Sequence, residues 1–212
     1  MRIINLYQEI NQEFDYSPRT YLLFEANLKK LFNDAKQTDM VNQKTGKGYV
    51  ARGLELVDRV RYFGLSDDGT LNFKVNSQSS PGKFHYVYVQ ADMDEILDLF
   101  WDEIENGGHL EPKDLNQVLV SKNFRIGCNC QSFLYWGFKY MAYTGDYGLE
   151  RETREPNIRN QNRQCGLCKH LVAVIKNIYE NTKMRTQIMK DIENYIRYLN
   201  LLIISLFNSR YF

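Results

Sequence analysis

Cys128 and Cys130 stand one residue apart, and so, much later, do Cys168 and His170. All four side chains are zinc ligands by type. A Cys-x-Cys turns two thiolates the same way from an extended or turning backbone, and a Cys-x-His entering a helix offers a second pair. Two such pairs close a tetrahedral site with no position left for water, which is how a structural zinc is held, and folding of the intervening chain is then coupled to metal binding. The chemistry these residues predict is architectural. A metal hydrolase needs an open metal position and a general base. No Gly-x-Ser-x-Gly, His-Glu-x-x-His or phosphate-binding loop is found, so the chain reads as non-enzymatic. Cys165 keeps an alternative open, because Cys165-x-x-Cys168 is itself a zinc spacing. It is either a ligand in place of His170 or a plain buried thiol. The set taken forward is Cys128, Cys130, Cys168 and His170.

The elements that must position this site belong to a chain of 212 residues, enough for one large domain with its own core, or a domain with arms. With 27 Lys and Arg against 26 Asp and Glu, net charge is +1, which excludes a global basic field for wrapping nucleic acid. All the cysteines fall between 128 and 168, as one site rather than a disulfide framework. No secretory signal is read at the start, and a reducing cytosol is the expected setting. The longest apolar run, Leu199 to Phe207, is broken by Asn200 and Ser205 and is too short for a bilayer, so no membrane partner is expected. Tyrosine and phenylalanine are abundant, and Tyr195, Tyr198, Phe207, Tyr211 and Phe212 crowd the C-terminal end, a composition that suits subunit interfaces as well as cores.

Ser17-Pro18 is a helix start, and Tyr21, Phe24, Leu28, Leu31 and Ala35 follow at helical spacing, so a helix is expected to about Gln37. Asn42 to Gly48 is a polar loop that lacks the spacing of a phosphate loop. Strands are expected at Arg59–Leu65, Leu71–Ser77 and Phe84–Gln90, joined by turns at Ser66–Thr70 and Ser79–Gly82, as an antiparallel meander. His85 falls on the strand face shared with Val87 and Val89 and is read as a strand residue, not a ligand. Asp92 with Glu95 forms a capping box for a helix to about Asn106, whose polar face carries Asp94, Asp98, Asp102 and Glu105 as an acidic stripe. The stripe is a solvated face or a docking surface for a basic partner. A short helix follows Pro112. After Cys130 comes an aromatic stretch to Met141, read as helical. Gly145 to Gln164 is then a long polar loop with Arg151, Arg154, Arg159 and Arg163 set among glutamates. Cys168 opens a helix, and a last, apolar helix begins near Thr182. The fold class is α+β: a small antiparallel meander with flanking helices and a zinc knuckle. Its organisation is an N-terminal helical arm over 1–48, a core over 49–181 and an apolar helical tail over 182–212.

Cys-x-Cys, a Phe three residues on, and Cys-Lys-His-Leu at a helix start after a β-meander resemble the SWIM-type zinc finger. The spacer from Tyr140 to Gln164 is longer than is usual for that family. SWIM modules are associated with DNA binding and with protein–protein contacts. Over about residues 70–180, the combination C-N-C-Q-S-F-L-Y-W-G, then E-P-N-I-R-N, then C-G-L-C-K-H-L is similar to structural proteins of large tailed bacteriophages. This second resemblance implies a virion protein of the head–tail connector (neck) or tail. It implies a homo-oligomeric ring with portal, neck or tail subunits as neighbours, assembled in the bacterial host cytoplasm. The alternative is a SWIM-type nucleic-acid-binding module.

Overall fold

The computed structural model describes residues 24–26, 28, 32–33, 46–66, 68–78, 80–90, 93–121, 124–130, 132–133 and 167–209. Three strands with alternating side chains form the expected meander: β2 (Val60–Leu65), β3 (Thr70–Asn76) and β4 (Phe84–Gln90). The β2–β3 turn closes when Ser66 N–H donates to the Thr70 carbonyl and the Asp68 carboxylate accepts from Thr70 N–H. Two further strands extend the sheet: β1 (Phe24–Ala26) and β5 (Phe124–Cys128). All pairings are antiparallel, in the order β1-β5-β4-β3-β2.

The register decides what each face does. Cys128, Val87, Phe73 and Tyr62 lie in one row across the sheet, and Ile126, Val89, Leu71 and Leu65 in the next. Side chains alternate along a strand, so these rows share a face, and their buried members pack in the same core cluster as the helices. Tyr86 and Tyr88, on the other face of β4, are buried as well.

The helices are α1 (Tyr49–Leu54), α2 (Met93–Glu105), α3 (Leu115–Ser121), α4 (Lys169–Glu180) and α5 (Thr182–Ser209), with a 3-10 turn at Val57–Arg59. Helix α4 is the central one: every residue from His170 to Ile175 is buried, so all its sides meet protein. Helix α1 lies hard against it at Gly53, where a Cβ would come within 2.5 Å of Val172. Asn177 donates from its side chain to the Val57 carbonyl at 2.7 Å, tying α4 to the entry of β2. Asn181 alone separates α4 from α5, and its side-chain oxygen accepts from Met184 N–H as an N-cap.

Two expectations change. Phe24, expected on the apolar stripe of an N-terminal helix, is in strand β1 and pairs with Ile126. A short apolar run reads equally as helix or strand, and the outer edge of β5 supplies a ladder of backbone groups for it to pair with. Helical residues resume at Leu28, which is fully buried, and at Phe32 and Asn33. The last helix does begin at Thr182, but its first half is core: Met184, Ile188, Met189, Ile192 and Ile196 are all buried. Tyr62 bonds Asp191 at 2.8 Å and so fixes this half to β2. Only beyond it does the helix turn outward, with Leu201, Leu202, Ile203 and Ile204 at 67, 39, 41 and 50 % exposure. No helix among the described residues is long and apolar enough to cross a membrane.

Candidate metal centre

Strand β5 delivers Cys128 to the edge of the core face, opposite Val87. The ladder then continues by one residue through side-chain mimicry: Asn129 N–H donates to the Tyr86 carbonyl at 3.1 Å, and Asn129 Oδ1 accepts from Tyr86 N–H at 3.0 Å. The chain turns at Cys130, whose sulfur accepts from Phe133 N–H at 3.4 Å. From the other side, Cys168 sits at the N-cap of α4 with its sulfur accepting from Leu171 N–H at 3.5 Å, and His170 follows in the first turn. Each half of the site thus presents a sulfur that accepts an amide three residues on, the arrangement that stabilises a thiolate.

The ligand atoms of Cys128, Cys130, Cys168 and His170 all lie within 4.8 Å of one another. Cys128 Sγ and His170 Nδ1 are 3.8 Å apart. A zinc with sulfur at about 2.3 Å and nitrogen at about 2.0–2.1 Å sets tetrahedral edges of roughly 3.5–3.8 Å; the Cys128–His170 separation matches such an edge, while the 4.8 Å spread of the four atoms is about 1 Å wider, so the set must draw in slightly around an ion. The four residues are only 2, 4, 3 and 3 % exposed, which leaves no side open to water.

The electrostatics point the same way. Burial pushes the Cys128 and Cys168 thiols well up. Hydrogen bonds from Cys128 and then Cys168 hold Cys130 well below the usual thiol value. A divalent ion would take the place of the protons shared among these sulfurs and hold all three as thiolates. The donor set fits zinc, whose soft sulfur ligands and indifference to geometry match three thiolates and an imidazole.

The structure therefore brings together the four residues read as ligands. Cys165, Arg151, Arg154, Arg159, Arg163 and the aromatic stretch to Met141 beyond Phe133 lie outside the described residues. Asp94, Asp98 and Asp102 are exposed along α2, away from the site, with Glu105. His109 pairs with Glu193 at 2.9 Å.

His85 is the residue that sequence reading passed over. Its ring stacks on that of His170, centroids 4.0 Å apart and planes 25° from parallel. Burial and then His170 hold its imidazole down to about 4, so it is neutral at pH 7. Alternation alone put His85 on the right face; only the register of β5 against β4, with Asn129 beside Tyr86, puts it over the site.

No family model, no curated protein and no solved structure matches this chain.

Proposed function

We propose that this protein is a non-enzymatic structural subunit of a tailed-phage virion, a ring component of the head–tail connector or tail, and that its fold is pinned by a structural zinc. The observation that carries the zinc reading is the closure of the Cys128, Cys130, Cys168 and His170 cluster. Four protein ligands fill a tetrahedral zinc, and their burial keeps substrate and water out. The metal would clamp the β5 knuckle to the start of α4, joining sheet and central helix at one point. Three thiolates and a neutral imidazole around a divalent ion carry one net negative charge. Lys169, between two ligands, and Arg52, close enough to depress its ammonium after burial has done so, offset that charge.

The assembly reading is supported by the resemblance over residues 70–180 and by surfaces that suit neighbours. The outer end of α5 shows large aliphatic side chains to solvent, while the acidic stripe of α2 offers a charged surface for the arginine-rich segment 151–163 of an adjacent subunit. Native mass with metal content on the same sample tests both parts. One zinc per chain in a closed ring is expected; a metal-free monomer overturns the reading.

A nucleic-acid-binding module is the second reading, favoured by one observation: Lys169 lies between two of the cluster residues in sequence, and Arg52 and Arg59 are near enough to it to lower its ammonium, a local positive charge that could contact phosphates. Binding to DNA that weakens steeply with salt would support it, and no binding at low salt would dismiss it.

A further inference from the structure

A metal-ligating histidine ordinarily gives its other ring nitrogen to a carboxylate, a carbonyl or a water, and this bond fixes the ring's plane and tautomer. His170 lacks that support among the described residues. Its Nδ1 meets the Cys128 sulfur, and its Nε2 is buried with no hydrogen-bond partner. Whichever nitrogen takes the metal, no oxygen acceptor among the described residues orients the ring. What the ring does have is a flat neighbour. His85 lies on its face at 4.0 Å, nearer to parallel than to edge-on.

His85 is itself well placed to hold still. It sits in β4 directly before Tyr86, whose backbone is locked to Asn129 by two hydrogen bonds. Val75 lies opposite it across the β3–β4 ladder. The residue between Cys128 and Cys130 thus ties down the strand position next to His85.

We propose that His85 is the positioning residue of this metal centre: its ring, carried on the β4 backbone that pairs with β3, fixes the plane of the His170 imidazole by face contact, where among the described residues no hydrogen bond to an oxygen does so. The inference rests on the metal reading above, and its test separates the two.

The experiment uses the full chain as wild type, His85→Phe and His85→Leu, each loaded with cobalt(II) and followed by its ligand-field absorption and by its loss to a chelator. Phe keeps a flat ring face and removes both nitrogens; Leu keeps bulk and removes the flat face. The expected result is one cobalt per chain with a tetrahedral thiolate spectrum in the wild type, a nearly unchanged spectrum and release rate in His85→Phe, and release about tenfold faster with altered bands in His85→Leu, the lower end of the loss typical for outer-shell partners. If Leu matches Phe and wild type, bulk suffices and the positioning role falls. If Phe is as impaired as Leu, the ring nitrogens matter rather than the face, and the proposal falls as stated. If the wild type takes up no cobalt, the metal reading fails, and this inference with it.

Discussion

Cys128 Sγ and His170 Nδ1 lie 3.8 Å apart across 42 residues of chain, where the end of strand β5 meets the first turn of helix α4. A metal ion shared there would close a long loop, and its free energy of binding would become free energy of folding.

Replacing Cys128 or His170 by Ala is therefore expected to abolish metal binding and to destabilise the junction by several kcal/mol, since the remaining ligands stay buried without their counter-charge. Metal content and thermal unfolding of purified variants measure this. A variant that keeps full metal stoichiometry and the wild-type melting temperature would remove that residue from the ligand set.

Gly53 carries the approach of α1 to α4. A methyl group there would meet Val172 at 2.5 Å and the Lys169 carbonyl at 2.7 Å. Gly53→Ala is expected to cost about 1–3 kcal/mol as overpacking, measured by urea unfolding. Adding Val172→Ala should return only part of the loss, because Ala keeps the Cβ at 2.5 Å and the Lys169 carbonyl at 2.7 Å is backbone.

The meander, the acidic helix and the ligand set were legible because each has a local signal: alternation between turn residues, apolar residues four apart, and paired ligand spacings. Strand β5 is masked by Gly127 and by its direct run into the knuckle. Strand β1 is hidden inside a helical stripe, because its pairing depends on an edge about a hundred residues away, between Phe24 and Ile126. The role of His85 depends on register, and no spacing within one strand reports register. The buried half of α5 escaped for a related reason: an apolar stripe states that a helix will be covered, not by what.

Glu193 makes a pH-dependent contribution. Burial pushes its carboxyl up, but the Leu110 N–H, His109 and Arg197 outweigh this and hold it below its ordinary value of 4.5. A depressed folded value adds stability above the unfolded value, and that stability is lost as pH falls through the folded one. Glu193→Gln should therefore be less stable than wild type by about 1–2 kcal/mol at about pH 7, with the gap narrowing towards about pH 3. Denaturant unfolding at both pH values checks it; a gap that widens on acidification contradicts the assignment.

The outward end of α5 separates folding from assembly. Leu201→Asp with Ile204→Asp changes exposed positions, so stability should shift by less than about 0.5 kcal/mol per site. On the ring reading, the same pair should shift native mass towards the monomer. Unchanged assembly would remove this helix end from the interface.

The most direct test of the metal-pinned fold is zinc analysis of the purified full chain, followed by circular dichroism before and after exhaustive chelation under reducing conditions. The account predicts one zinc per chain, loss of ordered structure on chelation and its recovery on adding zinc back. A protein that is purified without metal, keeps its spectrum and melting temperature in chelator, and takes up no zinc would contradict it.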